Sequence, residues 1–334
     1  MGLSLTPRKV LPLVALLSGT GLWLLVGGGG SRRDPATSEL KEQREQLLAT
    51  MATALELDSA RLVQVRALVE ASPILGQGNP GLSQHSMSRD ECRRRRAQAR
   101  QLAAPDSRCR APYMVVAHAT DSSAGVCIDQ YEFPGIPCEY PVVHVTAREA
   151  ALLCQALGKR LCDAHEWEGS CAGELRPPDR EYAWGNSRAE MTSLHNASRE
   201  LSWAYGRTKH HELCATGSFK TSGCKGGYRS CGSNTYPAGA FPECVSPFGV
   251  YDQHGNAAEH MNLPLTADEL ASAGRYGVTE MKGSWFIFAS YEAHPDDCRW
   301  RAPDWHASRV LDPASHSNYH LGFRCCKGLP APAD

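Results

Sequence analysis

A chain of 334 residues has room for one large domain or two ordinary ones, and 42% hydrophobic residues suffice for a sizeable core. A formal net charge of −1 gives no general attraction for nucleic acid or an anionic surface, so no nucleic-acid partner is expected. The 14 cysteines are dispersed, with no Cys-x-x-Cys pair, which argues against zinc ribbons and thioredoxin-type motifs and for disulfides made in an oxidising compartment.

The chain opens with a basic pair, Arg8 and Lys9, and an apolar run over residues 10–27. That run is just long enough to span a bilayer and longer than a usual signal-peptide core. Residues 1–33 are therefore read as a signal anchor or a signal peptide, with the membrane contacted through residues 10–27. Either reading puts the cysteine-rich remainder outside the cytoplasm, in a periplasm or at a cell surface.

Residues 34–110 read as a helical arm or linker. "SELKEQREQLLATMATALEL" and "DSARLVQVRALVEA" space their leucines three and four apart, as short amphipathic helices do. "SRDECRRRRAQARQLA" restarts the pattern after a Gly- and Pro-containing break, with Ser88 and Glu91 in capping-box register. The run Arg93–Arg96 is read as a solvated helix face in preference to a phosphate site.

From Ala111 the texture changes. "PYMVVAHA", "GVCIDQYEF" and "YPVVHVT" look like short strands. "TAREAALLCQALGKRL" is a helix opened by Thr146 and Glu149 and stopped at Gly158, and Asp163 with Glu166 opens another. Beyond it the chain is rich in Gly, Pro and Ser, with one short helix at "TADELASA"; Cys214, Cys224, Cys231 and Cys244 stand where staples would order it. In "TKHHELC", surface histidines beside a disulfide are preferred to a metal site. Residues 329–334 form a tail.

Several motifs now fall in order: "GKRLCDAHEWEGSCAG", "YAWGN", "FPECVSPFGVYDQHGNAAEH", "KGSW" and "HLGFRCC". Together they resemble the formylglycine-generating enzymes, or sulfatase-modifying factors, across residues 111–328. The resemblance implies an α+β fold, the formylglycine-generating-enzyme variant of the C-type-lectin-like fold, loop-rich, disulfide-linked and calcium-bound. It also implies oxidation of a peptide or protein thiol by oxygen at a copper ion held between two cysteines. Soft thiolates suit Cu(I).

The first copper cysteine would lie three residues past Ser284, where this chain has Ile287; the second corresponds approximately to Cys298, directly before Arg299-Trp300-Arg301. Ser284 and Cys298 are thus the candidate catalytic residues, and copper lacks its first ligand unless His294, His306 or Met281 replaces it. The resemblance further implies a Cys154–Cys325 bridge and leaves Cys171 without its usual mate. Cys298 then has a second reading, as a disulfide partner for Cys171, for which Cys162 and Cys326 also compete; that reading is preferred to the thiolate. Ser284 likewise has a plain alternative, a hydroxyl bonded to backbone.

For calcium, the resemblance assigns Asp252 and Glu259 as side-chain ligands and Gly255 and Ala257 as carbonyl ligands, hard oxygen donors that suit Ca²⁺. A second calcium site would use Asn196 and the Ala197 carbonyl, with an acidic partner expected near Ser230. Two functions follow: a divergent thiol oxidoreductase, or a non-catalytic, calcium-stabilised module that binds a peptide or protein.

Overall fold

The computed structural model describes residues 40–78, 85, 87–99, 104–119, 125–219, 234–272, 276–303 and 307–329. The apolar run at 10–27 and the tail from 330 onward lie outside them. Among the described residues no helix is long and apolar enough to cross a membrane.

Three helices come first: α1 (Leu40–Ala54), α2 (Ser59–Ala71) and α3 (Arg89–Gln98). Asp58 caps α2 by accepting from Arg61 N, and Ser88 caps α3 by accepting from Glu91 N. The segment read as an arm is docked rather than free-standing. Leu47, Leu48, Met51, Val65 and Val69 are buried in the same cluster as α4 (Ala147–Ala156). The Cys92–Cys138 disulfide ties α3 to the loop before α4. Of the arginine run, Arg93, Arg94 and Arg95 pair with Asp90 and Glu91 on their own helix. Arg96 turns inward, with its guanidinium over the rings of Tyr131 and Tyr251.

Two small sheets carry the rest. One holds β1 (Met114–His118), β2 (Gly125–Asp129), β3 (Arg160–Leu161) and β7 (Cys325–Gly328) in the order β1-β2-β7-β3, all pairs antiparallel. The other holds β4 (Ala258–Leu263), β5 (Val278–Lys282) and β6 (Leu321–Phe323) in the order β5-β4-β6, with β4 and β6 parallel. Between β3 and β4 in the chain come α5 (Ala164–Ala172), α6 (Pro178–Glu181) and α7 (Arg188–Ser198).

The expected capping boxes are made at α4 and α5, whereas at α3 Ser88 caps Glu91 N and the Glu91 carboxylate pairs instead with Arg94 and Arg95. Thr146 Oγ1 accepts from Glu149 N, and the Glu149 carboxylate returns to Thr146 N at 2.8 Å; Glu166 does the same for Asp163 N at 2.9 Å. "TADELASA" forms a kinked 3₁₀ segment over Ala267–Ser272. The expected strand "YPVVHVT" is a correction. Val142, Val143 and Val145 are buried, but their backbones join no ladder. Val142 N bonds Phe133 O, Val143 exchanges bonds with Gly76, and His144 N bonds Asn318 O. Three neighbouring segments satisfy the groups that a strand partner would otherwise satisfy.

Six disulfides join twelve described cysteines, and none of the described cysteines is free. Cys154 bonds Cys325 and Cys162 bonds Cys326, so adjacent residues of β7 are locked to α4 and to the residue after β3. Cys224 and Cys231 lie outside the described residues.

Candidate functional site

Strand β5 delivers the site. After Lys282 the chain turns at Gly283, whose φ of +74° few side-chain-bearing residues adopt, and an added Cβ would stand 2.9 Å from Gln253 O. Ser284 follows, fully buried. Its Oγ accepts from Gly255 N at 2.9 Å and donates to Asp296 Oδ2 at 3.2 Å. Both roles of the hydroxyl are therefore used, one on backbone and one on a carboxylate.

Asp296 is the electrostatic centre. Trp203 Nε1 donates to its Oδ1 at 3.2 Å, and His211 Nε2 stands 3.3 Å from Oδ2. Burial opposes its charge, but His211, His254 and Trp203 together hold its carboxyl well below the usual carboxylate range. His254 is fully buried, and its Nε2 accepts from Ala204 N at 3.0 Å, which places the ring proton on Nδ1, 3.8 Å from Asp296 Oδ2. Burial pushes this imidazole down to about 4, so it is neutral at physiological pH.

Cys298 lies against the same ring, its sulfur 3.8 Å from His254 Nε2, but that sulfur is bonded to Cys171. The thiolate expected of a catalytic Cys298 is thus replaced by the disulfide alternative. Cys171 comes from α5, one turn after Trp167, and the Cys298 backbone is fixed by its N–H to Ser202 O. Ile287 packs with the Trp285, Phe286 and Phe288 cluster and offers no metal-binding atom. The donor set therefore does not fit a two-thiolate copper ion. His306 lies outside the described residues.

The arginines after Cys298 are structural. Arg301 makes two bonds to Glu168, at 2.8 and 3.0 Å, and Lys282 Nζ reaches the same carboxylate at 2.5 Å. Arg299 pairs with Glu181 at 2.6 Å. Asn196, expected as a calcium ligand, spends its amide on Arg301: Oδ1 accepts from Arg301 N at 2.9 Å and Nδ2 donates to Arg301 O at 2.8 Å. Ser230 lies outside the described residues.

The loop from Asp252 to Glu259 brings carboxylates together in the interior. Asp252, in left-handed conformation at φ 58°, uses Oδ2 to accept from Gly239 N, while Oδ1 is buried without a hydrogen-bond partner. Gly255 sits so close to Ala215 that a Cβ would lie 2.7 Å from its carbonyl. Glu132 accepts from Asn256 Nδ2 and Ala257 N. Glu259 accepts from Arg324 through both oxygens and from Trp167 Nε1. Three buried carboxylates thus face one guanidinium, Arg324. Burial, then mutual repulsion, pushes Glu132 well up, and burial raises Asp252 to about 6. Of the carboxylate oxygens here, the orphaned Asp252 Oδ1 is the donor left open for a calcium ion, whereas Glu259 is engaged by Arg324 and Trp167 and Glu132 by Asn256 and Ala257. Sequence reasoning missed His254, Glu132 and Arg324. The first lies inside the loop motif itself, and the last is the arginine of "LGFR".

Comparison with known proteins places this geometry. The family model described as "Sulfatase-modifying factor enzyme 1-like domain" matches residues 112–329. Formylglycine-generating enzyme of Bos taurus is 29% identical over 191 residues, covering 56% of this chain and 44% of that protein. Inactive C-alpha-formylglycine-generating enzyme 2 of Bos taurus is 28% identical over 200 residues, covering 58% of this chain and 52% of that protein. The chain spans about half the length of the curated relatives it matches. A solved structure titled "Crystal Structure of CarF" covers 57% of this chain and 68% of its own at 13% identity, with a TM-score of 0.34, too slight a likeness to carry an argument.

Proposed function

The chain belongs to the sulfatase-modifying factor enzyme 1-like family, and from that premise we propose that it is a non-catalytic member, an extracytoplasmic binding module on a calcium-stabilised, C-type-lectin-like scaffold. One observation carries this reading: the Cys171–Cys298 disulfide. It consumes Cys298, the candidate second copper ligand, while the first copper-ligand position holds Ile287. Among the described residues no thiolate remains to bind Cu(I). The relatives include a protein named as inactive as well as one named as the enzyme, so loss of activity on this fold has a precedent among them.

What remains of the site is a rigid frame. Ser284, Asp296, His211 and His254 hold the loops that follow β5, and the buried carboxylates below would hold a structural ion. Six cross-links in the described residues support a home in an oxidising compartment. A peptide or protein is the partner class such a loop surface would meet.

Peptide mapping without reduction, with metal analysis on the same sample, tests the reading. A cross-linked peptide pair containing Cys171 and Cys298, no stoichiometric copper, and no oxygen uptake with a cysteine peptide are expected. Alkylation of a free Cys298 in the folded protein, together with one bound copper, would overturn it.

A further inference from the structure

Beside the three-stranded sheet a cavity of about 180 Å³ opens to the surface. His260, Trp285, His294, His320 and Leu321 make its floor, none of them more than 8% exposed. The half-buried Met281, His316 and Asn318 and the exposed Ala293 make its mouth. An apolar cavity of ~150 Å³ takes up benzene, so this one has room for a six-membered ring.

The polar atoms of the floor and walls are either engaged or turned away. Thr279 Oγ1 accepts from Ser308 N at 3.1 Å, and Glu280 accepts from Arg188 Nη2 at 3.0 Å and Ala302 N at 2.7 Å. His260 Nε2 bonds Val145 O at 2.9 Å, and His294 Nδ1 bonds Pro295 O at 2.7 Å. Trp285 Nε1, His294 Nε2 and His320 Nδ1 are sealed from solvent and so do not face the cavity. Burial keeps the floor imidazoles uncharged at neutral pH, with His260 down at about 4, His320 at about 3 and His294 lowered as well. The floor therefore presents mostly carbon and no open charge. Polar groups return at the mouth, on His316 and on Asn318, whose Oδ1 accepts from Tyr319 N at 2.8 Å.

Two features select an occupant. An indole and three imidazoles dominate the floor, and the Met281 thioether stands beside them. Rings and thioethers both favour an aromatic guest, through edge-to-face and sulfur–ring contacts. A carbon floor beneath a polar rim also suits an apolar side chain carried on a polar backbone. We infer that the cavity receives the ring of a phenylalanine in a peptide partner, the ring lying among Trp285, His294, His320 and Met281 and the peptide backbone crossing His316 and Asn318. This names the side chain that the binding reading above would recognise, and it rests on that reading.

Calorimetric titration of the full chain with acetyl-Gly-Phe-Gly-amide, with its Ala, Leu, Lys and Glu counterparts and with toluene tests the assignment. The Phe peptide is expected to bind at least tenfold more tightly than the Ala, Lys and Glu peptides, and more tightly than the Leu peptide, with toluene competing for the same site. Ala293→Trp, at an exposed position, fills the mouth and is expected to weaken the Phe peptide at least tenfold. Ala289→Trp, exposed on the same segment but outside the lining, is expected to leave it unchanged. An unchanged Tm for both variants reports that they have folded. Equal binding of the Phe and Ala or Leu peptides, preference for a charged side chain, binding of toluene without any peptide, or no binding of any probe would overturn the inference. A free Cys298 would sink the non-catalytic reading and leave the peptide series as it is.

Discussion

Arg324 holds Glu259 through two parallel hydrogen bonds, Nη2 to Oε1 at 2.6 Å and Nε to Oε2 at 2.7 Å, and neither side chain reaches solvent. The guanidinium also donates to the carbonyls of Asp129 and Tyr251, so it ties the first sheet to the Asp252 loop. Arg324→Met removes the buried guanidinium that faces Glu132, Asp252 and Glu259. It is expected to lower stability by about 3–5 kcal/mol, because an unpaired charge is left in the interior. The urea midpoint measures this; a loss below about 1 kcal/mol would mean that the carboxylates are balanced by something else.

Calcium should matter in a pH-dependent way. Burial raises Asp252 to about 6 and pushes Glu132 well up too. An incoming cation must displace those protons. Millimolar calcium is therefore expected to raise Tm more at pH 7.5 than at pH 5.5, and Asp252→Ala to abolish the effect. No shift at either pH would remove calcium from the account.

Breaking the central cross-link should cost stability without changing chemistry. The Cys171–Cys298 bridge spans 127 residues. Replacing both cysteines with serine is expected to cost about 2–5 kcal/mol in urea unfolding, mostly by loosening the unfolded chain. Oxygen consumption with a thiol peptide should be equally absent before and after the change. Any measurable rate in the native protein would contradict the proposed function.

The structure was legible in the sequence where a signal is local. Capping boxes at Thr146 and Asp163 need only a side chain and an amide three residues on, and both helices start there. The ordered motifs likewise announced the family. Residues 140–146 misled because alternating valines record burial, not the identity of the hydrogen-bond partner; Val143 is buried, yet it pairs with Gly76 across the chain. Asn196 looked like a calcium ligand, but its amide is committed to Arg301, a partner 105 positions away. The roles of His254 and Asp296 depend on each other and on Ala204, and no spacing in the sequence expresses that triangle.

Acid should unfold the protein. Burial pushes His165, His195, His254 and His260 each down to about 4, from an ordinary value of 6.5 in the unfolded chain. Between those two values the unfolded state binds more protons, so stability rises with pH across the window and is lost on descent through it. Asp163, raised to about 7 by burial and by the charge of Glu166, works in the opposite direction, as does Asp252. Glu132, also raised by burial, opposes as well. The four imidazoles are joined by His320, held down at about 3, and by Asp296, held below the usual carboxylate range, and these six outweigh the three. Urea midpoints in chelator are expected to fall from pH 6.5 to pH 4; a flat profile would show that these imidazoles are accessible to protons in the folded state.

Strand β7 lies in the middle of its sheet, between β2 and β3, although it is the last of the four in sequence. A ribosome releasing this chain thus exposes Cys154 and Cys162 long before Cys325 and Cys326, their partners 171 and 164 residues later, have been made. If Cys154 or Cys162 is oxidised before then, it can only join the wrong sulfur. Biogenesis must either delay oxidation or reshuffle its first products, which makes the yield of folded molecules sensitive to the thiol-exchange capacity of the compartment that receives them.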